Sequence, residues 1–193
     1  MEITETLYVI SRKDWRKWLI KNYKNKKDIW LIYYRKKSGK PRISYGSAVE
    51  EALCYGWIDS IIKGVDDQCY AQRFSPRRSN SVLSQINRER VRLLVAKKKM
   101  TKVGLAALAH VYNPKKDVPK LVIPIDALKA LKNNKDVWKN FQKFPEAYKR
   151  IRIAYLESRR NQGVLEYERS LQHFIKMTEQ NKRIGSFKEW NWN

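Results

Sequence analysis

Near the N-terminus the apolar positions keep a helical period. Trp15, Trp18, Leu19 and Tyr23 fall on one face of RKDWRKWLIKNY. Ser11 precedes them as an N-cap, with Asp14 three residues on, where a capping-box acid stands. Two tryptophans one turn apart read as core. Past the basic turn Lys24–Lys27 the period is lost, and DIWLIYYRKK, rich in aromatic and β-branched residues, reads as a strand closed by Ser38-Gly39-Lys40-Pro41. Ser44 caps a second helix, YGSAVEEALCYG, which turns Ala48, Ala52, Leu53 and Cys54 or Tyr55 inward and stops at Gly56. Trp57–Lys63 and Gln68–Phe74 read as a hairpin around Gly64-Val65-Asp66-Asp67, ended by Pro76. A turn centred on Val65-Asp66 sets Trp57 opposite Phe74 and Asp59 opposite Gln72, all four on one face; a slip of one residue would reverse that face.

A helix is expected from Ser81 to Lys99, basic along one side, then a shorter one capped by Thr101 with Leu105, Leu108 and Tyr112 as its stripe. Residues 113–125, holding three prolines, read as a linker. Beyond it every period is helical: ALKALKN capped by Asp126, KDVWKNFQKF, a helix entered at Pro145 and running to about Gln162, a break at Gly163, and VLEYERSLQHFIKMTEQN. The tail SFKEWNWN is ordered only if its tryptophans dock. The pattern therefore predicts an α+β fold. Residues 1–112 form a domain with a small antiparallel sheet flanked by helices, 113–125 the linker, and 126–193 a helical C-terminal region.

Composition adds a question of charge. A hydrophobic content of 42% supports a real core, but 42 Lys and Arg against 19 Asp and Glu give a net charge of +23. Such an excess suits nucleic acid, an anionic surface or an acidic protein. Its spread through both halves of the chain equally suits a generic basic background. No stretch approaches 18 apolar residues and the N-terminus lacks a signal-peptide pattern, so a cytoplasmic protein without membrane insertion is expected. Cys54 and Cys69 form no CxxC pair and sit among apolar neighbours, which reads as buried thiols; a disulfide would need helix and hairpin to pack closely. His110 and His173 are far apart, and no metal, phosphate-loop, dinucleotide or nucleophile-elbow motif occurs. No catalytic residue and no cofactor are assigned.

Potential chemistry concentrates between Tyr45 and Arg78. Glu50 and Glu51 are adjacent on a helix, about 100° apart, so they cannot act as a close dyad. One is expected to pair with an arginine while the other is solvated. Asp59, two residues after Trp57 on a strand, could face Arg73 or Arg77, as a structural ion pair or as a ligand or catalytic group. Ser75, Arg77, Arg78, Ser79, Ser81 and Ser84 lead into a helix N-terminus, where guanidiniums, hydroxyls and free N–H groups can hold an anion. The same serines could simply cap the helix while the arginines pair with Glu50, Glu51 or Asp59. The basic residues of Arg88–Lys99 could track a phosphate backbone or form a solvated face.

The block Glu50–Asp59, EEALCYGWID, and the run Phe74–Arg78, FSPRR, resemble the signature of the YdeI/OmpD-associated family, also called bacteriocin-protection proteins. Met100-Thr101 and Gly104-Leu105 match its Met-x-x-x-Gly segment. Leu83-Ser84 and Asn87 stand where the family has Trp-Ser and an Asn, so one aromatic is missing. A helix signature of Glu-Thr-Arg is met loosely around Ser158–Arg169. The resemblance implies an association with stress or bacteriocin protection and carries over no catalytic residue.

These readings converge on a concave surface between residues 50–60 and 73–84. Trp57 and Phe74 are expected as its apolar floor, Arg73, Arg77 and Arg78 as anion contacts, and Asp59 as their orienting acid, with Glu51, Ser81, Ser84 and Asn87 around them. The function read from it is a non-enzymatic binding module for an anionic small molecule or acidic protein. Sequence-nonspecific nucleic-acid binding and an enzyme using Asp59 or Glu51 are the alternatives.

Overall fold

Two compact units divide the chain, Met1–Asp117 and Val118–Asn193. The computed structural model describes residues 2–185, and the expectation for the tail 186–193 lies outside them.

Unit 1 runs β1 (Thr6–Leu7), α1 (Arg12–Asn22), β2 (Ile29–Tyr34), a single 3₁₀ turn (Lys36–Ser38), α2 (Tyr45–Cys54), β3 (Trp57–Gly64), β4 (Cys69–Pro76), α3 (Gln85–Ala96) and α4 (Lys102–Leu108). Polar caps start the helices where the sequence places them. Ser11 accepts from the Asp14 N–H, Ser44 from Ser47 and Thr101 from Gly104. Ser84 does the same for α3, accepting from the Asn87 N–H. The helix expected from Ser81 thus begins at Gln85, because the cap is the last serine of the run.

The sheet has the order β1-β2-β4-β3. β2 lies antiparallel to β4, and β4 to β3, but β1 runs parallel to β2, so the sheet is mixed rather than purely antiparallel. Two residues are too few for β1 to show any alternation in the sequence. In the hairpin Trp57 faces Pro76 and Asp59 faces Phe74, two residues from the expected register. At this end of the hairpin a shift of two leaves the side chains on their expected face, so Trp57, Asp59, Gln72 and Phe74 do share one, while beyond the bulge Ile62 pairs with Gln72. The cause is a longer turn: Asp66 Oδ1 accepts from both the Gln68 and Cys69 N–H groups at 2.7 Å, and the ladder resumes only at Gly64–Tyr70. A bulge between Asp59 and Ile62 adds one residue to β3.

Helices cover the face carrying those four residues. Trp15 meets Phe74 edge-on at 5.5 Å and Trp18 meets Trp57 at 5.7 Å, while the indole N–H groups of Trp15 and Trp57 donate to the Ala48 and Tyr23 carbonyls. Ile29, Leu31, Leu53, Val91, Leu94 and Leu108 complete this core. Where α2 ends, the Cys54 carbonyl accepts from both the N–H and the hydroxyl of Thr101, and Gly104 packs against that carbonyl so closely that a Cβ would stand 2.3 Å from its oxygen.

Unit 2 is helical: α5 (Ile125–Lys132), α6 (Lys135–Lys143), α7 (Glu146–Arg160) and α8 (Val164–Glu179). α8 packs on α5, α6 and α7 through Leu131, Phe141, Tyr148, Leu156, Leu171 and Phe174. Pro124 rather than Asp126 caps α5; Asp126 lies in its first turn and accepts from Arg160 and the Tyr167 hydroxyl, both at 2.7 Å.

Candidate functional site

Sequence order places Glu51 and Asp59 close, but the fold gives them separate environments. Glu51 is 3% exposed and joins α2 to α1. Its Oε1 accepts from Arg12 Nε at 2.9 Å and its Oε2 from Arg16 Nη1 at 2.7 Å, while Glu50 takes Arg12 Nη1 at 2.7 Å. Burial works against the charge on both arginines, yet the bonds to the glutamates outweigh it and raise their pKa values.

The remaining predicted residues divide by strand parity. Trp57 and Phe74 are fully packed core. Arg73 points to the opposite sheet face and pairs with Asp28 at 2.7 Å. Burial would raise the Asp28 pKa, but the bonds from Arg73 and Thr4 hold it below the ordinary carboxylate range. Arg77 is half-buried: one Nη donates to the Val82 carbonyl at 2.9 Å and its Nε is buried without a partner. Arg78 is exposed, and its carbonyl accepts from the Ser81 hydroxyl. Ser84 is the α3 cap. These loop residues are not gathered around Asp59.

What does gather around Asp59 is a set of tyrosines, an amide and arginines. Its Oδ2 accepts from the Tyr45 hydroxyl at 2.8 Å and from Gln72 Nε2 at 3.2 Å, and Gln72 is itself 2% exposed. Tyr45 opens α2, which swings its ring over the sheet. Beside it lies Arg90 of α3, its guanidinium carbon 5.9 Å from the Tyr45 ring and its Nη1 donating to Asn87 Oδ1 at 2.7 Å. Burial pushes the Arg90 pKa below its usual value. On the sheet, Tyr33 and Tyr70 are direct cross-strand partners and stack at 5.3 Å. Arg42, in the segment before α2, lies 5.9 Å from both rings and donates to the Tyr70 hydroxyl at 3.2 Å. No carboxylate among the described residues pairs with Arg42.

One atom in this niche stands out. Tyr33 is 1% exposed, and its hydroxyl has no hydrogen-bond partner. Buried hydroxyls are normally satisfied, so this one is either a cost to the fold or a donor held ready. Burial, reinforced by Tyr70, Asp59 and Tyr45, raises its pKa and keeps it protonated. Tyr45 is pushed up to about 12 by burial and by the Asp59 charge it donates to. Its folded pKa lies above the unfolded value of 10.0, so its contribution to stability is complete below pH 10.0 and disappears as the pH rises through about 12. Tyr45→Phe is expected to remove that part of the alkaline loss, read from unfolding free energies across this pH range.

Asp59 and Asn87 are the two predicted residues that belong to this niche. Gln72 is read from the sequence as sharing the face of Asp59, whereas Tyr33, Arg42, Tyr45, Tyr70 and Arg90 carry no site reading there. Tyr70 and Gln72 share strand parity with Phe74, a signal legible in the sequence; Arg42 and Arg90 arrive from elements with no local cue. Cys54 and Cys69 are both free and buried, and burial pushes the Cys54 thiol up to about 11. Among the described residues no three potential metal ligands cluster, and no helix is long and apolar enough to cross a membrane.

Comparison with known families divides the chain in two. Residues 7–107 match the model of a domain of unknown function, DUF8412, which spans more than half of the chain. The chain belongs to the DUF8412 family. Residues 120–181 match the OmdA model, described as bacteriocin-protection, YdeI or OmpD-associated. The YdeI/OmpD-associated relationship therefore holds, carried by the C-terminal helices, whereas EEALCYGWID and FSPRR fall inside the DUF8412 segment together with the Asp59 niche. No curated protein and no solved structure gives a match.

Proposed function

We propose that this DUF8412–OmdA chain is a non-enzymatic binding module, and that the Asp59 niche holds a small polar molecule bearing a carboxylate or phosphate. The observation that carries this reading is the unpartnered Tyr33 hydroxyl beside Arg42, an arginine without a carboxylate partner among the described residues. An anionic oxygen there would accept from Tyr33 and Arg42, while a hydroxyl or amine on the same ligand would donate to Asp59. Stacked Tyr33 and Tyr70 supply an apolar wall. The description of the OmdA model, bacteriocin-protection, supports reading such binding as part of a protective role. Two free, buried cysteines suit the reducing cytoplasm as its location.

The test is a thermal-shift screen of carboxylates, nucleotides and sugar phosphates on wild type and Tyr33→Phe. Without ligand, Tyr33→Phe is expected to gain about 1 kcal/mol, since it deletes a buried unsatisfied group and keeps the ring. With ligand it should lose the stabilisation that wild type shows. A Tyr33→Phe variant that is destabilised, or that keeps the full ligand response, would overturn the reading.

Nucleic-acid binding is the second reading, favoured by the exposed run Lys97–Lys99, whose last carbonyl accepts from Arg16. It predicts oligonucleotide affinity that falls steeply with salt and is indifferent to Tyr33→Phe.

A further inference from the structure

Unit 2 buries a cation that the niche does not involve. Arg152, on α7, is 5% exposed. Its guanidinium carbon lies 4.6 Å from the Tyr155 ring centre and 5.2 Å from that of Phe174. Its Nε is buried with no hydrogen-bond partner. Four acids of this unit engage other bases: Glu146 pairs with Lys149, Asp126 and Glu157 with Arg160, and Glu166 with Arg159 and Arg169. No carboxylate among the described residues reaches Arg152.

An aromatic sandwich compensates part of a buried positive charge, but ring faces satisfy none of the N–H donors of a guanidinium. Burial accordingly pushes the Arg152 pKa below its usual value. A methionine would fill the same slot without that penalty. The groups around it also suit an anion. Tyr148, one turn before Arg152 on α7, accepts from the Ile184 N–H at 2.9 Å, which brings the neighbouring Arg183 to this part of the helix. Tyr155, one of the two rings beside the guanidinium, is 43% exposed.

We propose that Arg152 anchors an oxyanion site in the OmdA unit, taking a carboxylate or phosphate group, with Arg183 as the second cation and the exposed Tyr155 ring at its edge. A bidentate oxyanion supplies the acceptors that the guanidinium fork lacks, in a setting where charge-assisted bonds are strong. The site is independent of the Asp59 niche and stands or falls separately from it.

The experiment titrates inorganic phosphate and, in a second arm, acetate into the full chain at constant ionic strength. It follows the nitrogen-15 signals of the arginine Nε–H groups together with the melting temperature. The Arg152 Nε–H resonance is expected to move saturably. With the anion at ten times its dissociation constant, melting should rise by about 5 °C. Movement with phosphate alone identifies a phosphate group, with acetate alone a carboxylate, and with both a general oxyanion site. Arg152→Met should melt no lower than wild type without anion and should lose the response, while Arg183→Ala should weaken binding about tenfold. Tyr33→Phe should keep the response in full. An Arg152 signal unmoved by either anion overturns the proposal even if Arg152→Met fails to fold. So does a response that survives Arg152→Met, or one that vanishes in Tyr33→Phe.

Discussion

Glu51→Gln is expected to cost about 3 kcal/mol of stability, with the urea midpoint falling and the denaturant slope unchanged. The carboxylate is almost wholly buried and is the point at which two guanidiniums converge from α1 onto α2. An amide in its place presents an N–H₂ group to one of those guanidiniums, takes the carboxylate partner from Arg16 and leaves Arg12 with Glu50 alone. Removing one partner of a buried ion pair typically costs about 3–5 kcal/mol. The lower end applies because the Arg12 and Arg16 side chains retain 36% and 32% exposure, so water recovers part of their solvation. A loss below about 1 kcal/mol would mean that the arginines simply swing into solvent and that α1 is held by its tryptophans alone.

Gly104→Ala should be comparably damaging, at about 3 kcal/mol, through a different mechanism. Its Cβ would fall 2.3 Å from the Cys54 carbonyl oxygen and 2.7 Å from that of Leu53. Both are backbone atoms at the end of α2, so no rotamer change relieves the clash. The start of α4 must retreat, and in doing so it strips the Cys54 carbonyl of its bonds from Thr101. Gly56, in the left-handed region at φ +73°, is fixed in the same seam, where a Cβ would meet Ala107 Cβ at 2.6 Å. Chemical denaturation of Gly104→Ala, with Gly64→Ala as a control where a Cβ meets nothing within 4 Å, separates the clash from the mere addition of a methyl group, since helix propensity by itself favours alanine at position 104.

The sequence announces those features that are local. Ser11, Ser44 and Thr101 mark helix starts because capping is a contact within three residues, and Trp15 with Leu19 marks a buried face because one turn of helix aligns them. β1 could not be read, since two residues carry no period and are held by the pairing of their backbone with β2. Arg73 was grouped with Asp59 by proximity in the chain, although strand alternation alone sends it to the opposite face from Gln72 and Phe74. Tyr33 and Tyr45 were legible only as a strand former and a residue in the first turn of a helix. The niche they build exists because β2, β4, α2 and α3 converge, and no window of sequence contains that convergence. The unpartnered state of the Tyr33 hydroxyl and of Arg152 Nε is a property of three-dimensional surroundings and leaves no trace in residue type.

The bulge in β3 bears on how such a hairpin can vary in length. Asp59 is held on its face by Trp57 and Phe74, which lie on the anchored side of the extra residue, whereas Ile61, Ile62 and Val65 beyond it are exposed. Loss of Ser60 or Ile61 would convert the bulge to regular pairing and reset only the solvent-facing tip, leaving the carboxylate where it is. The same deletion made before Asp59 would turn it away from Gln72 and Tyr45. Codons on one side of the bulge are therefore free to come and go, while those on the other are locked in number as well as in identity.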